Sequence, residues 1–305
     1  MVEIRELSES DLPTIRRLAN RCLLRDTITD ASIRRITFGD PNFSTSLTAI
    51  ATEGGGTVGF MLGARRTRMP QEVVDAQKDI GWIKLFCVSE EHRRKGVGSK
   101  MLQKLEAGLK SAGIKVVRLC DYPGWTLFSG VDLAYEDAIA FLQARGFLKA
   151  GETVDYEIDL LDFYVPRTVA TTNLEGVTVR RARPDERDRF SKWAGDVFSP
   201  FWGYEVSEAF RFPQPKVWIA EEKDRTLGFS VYGALEPHWF GPIGVDPDVR
   251  KKGLGSALLF RCLVSMKEEG ERLAVIPWTG HLFFYSQVPG VKRIRNYWIM
   301  QKELE

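Results

Sequence analysis

Histidine and cysteine are both scarce in this chain of 305 residues, which holds three of the first (His92, His238, His281) and four of the second (Cys22, Cys87, Cys120, Cys262). The histidines lie far apart and no two cysteines share a C-x-x-C spacing. The sequence therefore offers neither a zinc-type ligand pattern nor a disulfide framework. No apolar run approaches the roughly 20 residues of a membrane-spanning helix, and no secretory leader is recognisable. The expected location is the cytoplasm, without membrane attachment. A surplus of one charge is missing as well. Lys and Arg number 43 against 41 Asp and Glu, a net charge of +2, which argues against a nucleic-acid partner.

What is present is ordinary for a folded protein, with 44% hydrophobic and 28% charged residues. The length suits two domains of about 150 residues. One stretch, written twice, supports that number. Val88-Ser89-Glu90-Glu91-His92-Arg93-Arg94-Lys95-Gly96-Val97-Gly98 recurs as Val245-Asp246-Pro247-Asp248-Val249-Arg250-Lys251-Lys252-Gly253-Leu254-Gly255. The offset of 157 residues holds without a gap through Ser99/Ser256, Leu102/Leu259 and Gly113/Gly270. Each copy reads as an apolar strand, a basic turn with two glycines and a long amphipathic helix. The first N–H groups of a helix have no backbone partners and the helix dipole adds positive potential, so such a turn can seat a phosphate. Neither copy is a dinucleotide-binding G-x-G-x-x-G, because Met101 and Leu258 stand where the third glycine belongs. Neither carries the G-K-[ST] of a P-loop. What remains is R-x-x-G-x-G at a helix start, Arg93 to Gly98 and Arg250 to Gly255.

Periodicity predicts an α/β chain of two similar halves, each a mixed, mostly antiparallel sheet flanked by helices. In the first half the expected strands are 2–5, 47–52, 57–63, 80–88, 115–120 and 154–160, with helices at 12–22, 31–38, 96–112 and 136–145. A Pro/Gly-bearing loop spans 121–132. A linker at 163–176 leads to the second half. Its expected strands are 177–180, 217–221, 226–235, 240–245, 273–277 and 295–302, with helices at 186–198, 205–212, 253–269 and 281–286. The expected domains are 1–162 and 177–305, each with meander strands before a βαβ crossover.

These features resemble the GNAT superfamily of N-acyltransferases. Its hallmark is (Gln/Arg)-x-x-Gly-x-(Gly/Ala) after a strand and opening a helix; both copies match it, and the order of elements agrees across nearly the whole chain. The resemblance implies a tandem, two-domain member that binds acetyl-CoA with the pyrophosphate on the turn. That assigns Arg93, Arg94, Lys95, Gly96, Val97, Gly98 and Ser99 to one cofactor site, and Arg250, Lys251, Lys252, Gly253, Leu254, Gly255 and Ser256 to the other. It also implies that pantetheine pairs like an extra strand with the backbone at Phe86, Cys87 and Val88, or at Ile243, Gly244 and Val245.

The reaction so implied is direct attack of an amine on a thioester. It needs a deprotonated acceptor, a donor for the oxyanion and an acid for the leaving thiolate. Many members use a tyrosine of the last helix as that acid, within a Phe-Tyr pair. The second half has Phe284-Tyr285 where the first has Phe141-Leu142, and leucine has no proton to give. The expectation is a catalytic second domain with Tyr285 as acid and a degenerate first domain. Many members also carry a glutamate before the turn as base, but tryptophan stands at both equivalents, Trp82 and Trp239. Glu236 and His238 are then the nearby titratable candidates. Two features stay open. Phe198, Phe201, Trp202, Tyr204 and Phe212 either line an acceptor pocket or pack, with packing favoured, and the loop at 121–132 is either functional or padding. The expected acceptor is a small-molecule amine, and the expected state a monomer or homodimer without a metal. A CoA-binding regulator with little turnover fits the same motifs, as does an acetyltransferase of protein N-termini or lysines.

Overall fold

The computed structural model describes residues 1–170, 174–250 and 253–304. In chain order the elements are β1 (Glu3–Arg5), α1 (Leu12–Cys22), α2 (Asp30–Arg35), β2 (Thr48–Glu53), β3 (Gly56–Arg65), β4 (Ile80–Val88), α3 (Val97–Ser111), β5 (Val116–Leu119), β6 (Val131–Asp132), α4 (Glu136–Gln143) and β7 (Leu148–Asp159). There follow α5 (Arg167–Ala170), β8 (Thr178–Arg181), α6 (Arg187–Val197), α7 (Pro200–Ala209), β9 (Val217–Glu222), β10 (Arg225–Tyr232), β11 (Phe240–Val245), α8 (Leu254–Glu268), β12 (Leu273–Thr279), α9 (Leu282–Tyr285) and β13 (Val291–Glu303). None of the described helices is long and apolar enough to cross a membrane.

The chain divides into two compact units, Met1–Glu152 with Tyr297–Glu305, and Thr153–Asn296. These limits differ from the expected domains of 1–162 and 177–305. The reason is that β7 and β13 each begin in one unit and end in the other. Alternation along a strand names its buried face but not its neighbour, so local pattern could not show this. Of the expected linker, Phe163 is a core residue, 167–170 form α5, and 171–173 lie outside the described residues.

In the first unit the strand order is β1-β2-β3-β4-β5-β13, with β6 also on β13. The β4–β5 pair is parallel and its neighbours are antiparallel. A parallel pair needs a crossover, and α3 supplies it. Val97, Met101, Leu102, Leu105 and Leu109, the stripe expected from sequence, are its buried face. They pack with Ile83, Val117 and, from the end of the chain, Met300. On the other side α1 and α2 cover Phe60, Leu62, Leu85 and Cys87. In the second unit the order β11-β10-β9-β8 is antiparallel throughout. β12 pairs with residues 154–159 of β7, and a parallel bridge from Trp239 to Val275 ties β12 to the start of β11. Shifted by 157 residues, that bridge is the Trp82–Arg118 pair of β4 and β5. α7 starts five residues before its expected position, because Ser199 caps it by accepting the Phe201 N–H at 3.3 Å and Pro200 occupies its first turn.

Both units open with the same device. Asp11 accepts the Ser8 N–H at 2.8 Å and two bonds from Arg5 at 2.7 and 2.6 Å. Glu186 accepts the Arg183 N–H at 2.8 Å and two bonds from Arg180 at 2.8 and 2.7 Å. Hydrogen bonds from Arg5 and Arg180 hold each carboxyl down to about 2. A carboxylate with a depressed pKa stabilises the fold above its ordinary range and loses that contribution as pH falls toward its folded value.

Two predictions follow from this architecture. Stability of the native chain is expected to fall between about pH 4.5 and pH 2, and the Asp11→Asn/Glu186→Gln variant to be about 2 kcal/mol per site less stable at pH 7 with a flatter acid limb, as read by urea titration at each pH. Deleting residues 297–305 removes Tyr297 and Met300, 1% and 0% exposed, from the first unit. It is expected to cost at least about 5 kcal/mol, seen by calorimetry as an early or absent transition.

Candidate functional site

β4 and β5 run side by side only as far as Ile83 and Leu119. Cys120 N–H still donates to the Ile83 carbonyl at 2.8 Å. Beyond that point β4 continues to Val88 without β5, while β3 keeps its other edge. The parting coincides with a β-bulge. Leu62 pairs with Leu85 but Gly63 with Ile83, so Lys84 is the extra residue on β4. Its Nζ lies 2.8 Å from Asp40 Oδ2, with both side chains fully buried. Burial pulls the Lys84 ammonium down and the Asp40 carboxylate pulls it back.

A cleft of about 1270 Å³ opens where the strands part. Leu85, Phe86, Cys87 and Val88 form one wall, and Gly130, Val131 and Asp132 belong to another. At one end stands the start of α3, with Gly96, Val97, Gly98 and Ser99 and, on the turn, Arg93 and Arg94. Gly96 has φ +79°, a left-handed conformation that suits glycine and turns the chain directly into the helix. A Cβ at Gly98 would lie 3.3 Å from the Phe141 ring. Arg93 donates to the Val88 carbonyl at 3.1 Å and Arg145 to Ser99 Oγ at 2.6 Å. Unpaired helix N–H groups beside three guanidinium groups make a concave anion site. Lys95 is exposed and does not belong to the lining.

Cys22, Arg25, Tyr135 and Arg145 are among the lining residues that sequence reasoning did not assign to the site. Tyr135 donates to Asp26 Oδ2 at 2.6 Å and accepts the Arg25 N–H at 3.3 Å. No local signal marks them, since each acts across the fold. The expected loop at 121–132 ends in β6; Phe128 and Gly130 to Asp132 line the cleft, and the part before them is clamped. Arg35 donates to the carbonyls of Gly124 and Thr126 at 3.2 and 2.8 Å, and Arg66 to that of Pro123 at 3.1 Å. Arg66 also lies 4.6 Å above the Tyr122 ring.

The second turn is a close copy. Gly253, again at φ +79°, opens α8. Arg250 donates to the Val245 carbonyl at 3.2 Å, and a Cβ at Gly255 would lie 3.4 Å from Phe284. Lys251 and Lys252 lie outside the described residues, and Leu254 is buried in the core. A model of the acetyltransferase (GNAT) family matches residues 12–147, and one of the acetyltransferase (GNAT) domain matches residues 213–288. The chain is a tandem, two-domain member of the GNAT family.

No curated protein matches the chain in sequence. Among solved structures, a GCN5-related glucosamine N-acetyltransferase region of a fungal multi-domain β-N-acetylglucosaminidase superposes with a TM-score of 0.80 at 18% identity. The match covers 99% of this chain and 38% of that one. A GCN5-related N-acetyltransferase from Sphaerobacter thermophilus superposes at 0.72 with 17% identity, over 100% of this chain and 96% of that one. A tandem GNAT protein from the clavulanic acid biosynthesis pathway superposes at 0.70 with 13% identity, covering 100% and 99%. At these identities the likeness is one of fold.

The two GNAT units differ at the positions where chemistry was expected. Tyr285 is 7% exposed, in a core with Tyr156, Phe240 and Phe284 at ring distances of 6.0, 6.4 and 4.9 Å. Burial pushes its phenol up to about 12, against a hydrogen bond with Thr279. Phe141 and Phe284 face equivalent glycines, which makes Leu142, fully buried, the counterpart of Tyr285. Glu236 and His238 sit on the turn before β11, where the Trp239 N–H donates to the Glu236 carbonyl at 3.0 Å and the Val275 N–H to that of His238 at 2.8 Å. Burial lowers the His238 pKa. Ile243, Gly244 and Val245 pair with β10. The bulge of β11 falls at Gly241-Pro242, in register with Lys84-Leu85. Ser256 donates to Gln287 at 2.8 Å, where the first unit has Ser99 and Arg145. Phe198 and Trp202 pack with Trp193 and Phe229 at ring distances of 5.2 to 6.1 Å, and Phe212 lies 4.5 Å from the Lys216 ammonium.

Because Gly96 and Gly253 share one backbone conformation, Gly96→Val and Gly253→Val are each expected to cost about 1–3 kcal/mol. Urea unfolding of the two variants checks this, and similar losses are the expected outcome.

Proposed function

We propose that the chain is an acetyl-CoA-dependent N-acetyltransferase of a small-molecule amine, and that the first unit carries the transfer. The observation behind this is the cleft between the parted strands. The first-half residues that the family resemblance assigns to pantetheine and pyrophosphate, Lys95 apart, all line it. The fit is chemical as well as spatial. A phosphate chain meets the free N–H groups of α3 and the guanidinium groups of Arg93, Arg94 and Arg145. A peptide-like arm meets the edge of β4 that β5 leaves open.

When bound, the cofactor supplies an activated acyl carbon. The chain supplies the surroundings. Alternate N–H groups of β4 turn to β3, and those of Phe86 and Val88 face the edge that β5 leaves open, available for amide pairing and for the negative charge that develops on a carbonyl oxygen. Cys120 and Phe128, buried at the cleft wall, limit water. Among the described lining residues Tyr135 is the phenol, its Oη proton held toward Asp26. In this reading Tyr135 returns a proton to the leaving thiolate, the role first expected of Tyr285. The second unit has Gln287 against Ser256 where the first has Arg145 against Ser99. Phe128 and Gly130, which follow the clamped part of the loop, line the cleft, and a wall so held favours a small amine over a protein tail.

Titration calorimetry with CoA is expected to give one site per chain. Arg145→Ala should weaken binding about tenfold, and Gln287→Ala should leave it unchanged. In a thiol-release assay over a panel of small amines, Tyr135→Phe is expected to lower kcat by about 10²-fold or less, and Tyr285→Phe to leave it within about twofold. Two equal CoA sites, or turnover lost with Tyr285→Phe and kept with Tyr135→Phe, would return the chemistry to the second unit. CoA binding without turnover on any amine would support the regulator reading instead.

A further inference from the structure

Two thiols share the cleft wall, on elements that sequence reasoning kept apart. Cys22 closes α1 and is half-buried, while Cys87 lies on β4 and is 6% exposed. Both line the cleft. Cys22 Sγ lies 3.6 Å from the Val88 carbonyl, the same oxygen that Arg93 Nε reaches at 3.1 Å. Arg93 and Arg21 supply positive charge near the Cys22 sulfur. A hydrogen bond from Cys87, with those positive charges, brings Cys22 down to about 7, whereas burial drives Cys87 well above the ordinary range. The remaining two thiols have no such setting. Cys120 and Cys262 are buried, and burial pushes each up to about 12. The chain thus holds one accessible, charge-assisted thiol with a second beside it, and two inert ones. That is the arrangement of an attacking and a resolving cysteine.

We propose that Cys22 and Cys87 are an oxidation site that closes to an intramolecular disulfide in the cleft wall, with hydrogen peroxide as oxidant. The Cys22 thiolate attacks one peroxide oxygen, the O–O bond breaks, and the departing hydroxide takes a proton to leave as water, so Cys22 becomes a sulfenic acid. The Cys87 sulfur then attacks the Cys22 sulfur. The S–O bond breaks, and hydroxide leaves as a second water with the Cys87 proton. Two thiols are oxidised by two electrons in total, and one peroxide is reduced to two waters. Closure takes Cys22 Sγ away from the Val88 carbonyl and ties the last turn of α1 to β4. The consequence for cofactor binding rests on the reading of this cleft as the acyl-CoA site; formation of the disulfide does not.

The test uses the full chain with hydrogen peroxide, followed by intact mass and peptide mapping. The expected product has lost two hydrogens and carries a Cys22–Cys87 link. Cys87→Ser should instead accumulate a dimedone-trapped sulfenic acid at Cys22, and Cys22→Ser should form neither. At neutral pH iodoacetamide should label Cys22 ahead of Cys120 and Cys262, and CoA should protect it. No Cys22–Cys87 link, or labelling of Cys120 or Cys262 at the rate of Cys22, overturns the proposal. Calorimetry then compares CoA binding to the oxidised and reduced chains. A loss of roughly fivefold, the worth of about one hydrogen bond, is expected. A linked chain that binds CoA with unchanged affinity overturns the coupling while leaving the disulfide in place. A reduced chain that binds no CoA overturns the cofactor reading alone.

Discussion

The first unit depends on one separation, that of β4 from β5 after Ile83 and Leu119. Two parallel strands normally satisfy each other's edges along their length. Here they stop doing so, and β4 runs on with one edge unpaired by β5 while β3 holds the other. Unpaired strand edges are a liability unless something uses or covers them. The bulge at Lys84 lets the parting begin without disturbing β3, and the buried Lys84–Asp40 pair sits beneath it. A charged pair in such a place is a poor source of net stability compared with apolar packing. Its value is that neither partner can shift without leaving the other's charge buried alone. Arg35 and Arg66 act in the same way on the loop that follows β5.

The two units share the geometry of the turn more closely than the residues around it. The αL glycine, the arginine returned to its own strand's carbonyl and the aromatic ring against the second glycine are common to both units. So is the carboxylate that caps the first helix and binds the arginine six residues earlier. These features set how a strand becomes a helix, and any unit of this fold needs them. The differences lie where a ligand would be met: leucine or proline after the bulge, arginine or glutamine at the helix start, a clamped loop or a short turn after the parted strand.

Much of this was legible in sequence because it is local. The ends of β4 and β11 were read to the residue, and the buried face of α3 in full. The turn Arg93 to Gly98 could be read because its chemistry is contiguous. Tyr285 lies in a buried aromatic core, and a Phe-Tyr pair is as much a core pattern as a site pattern. Cys22, Asp26, Tyr135 and Arg145 had no local signature. They come together only when α1 and α4 close on the same cleft. The partition of β7 and β13 between the units was illegible for the same reason.

That partition bears on the order in which the molecule can be made. Chains emerge from the ribosome N-terminus first, and domains generally fold as units as they appear. Here the strand that completes the first unit's sheet is residues 297–303, at the far end of the sequence. The first 152 residues therefore emerge with β5 lacking its outer neighbour, and must wait for the whole second unit to be synthesised. Until then the cleft-bearing half is an unfinished sheet, and residues 297–303 decide whether it becomes a finished one.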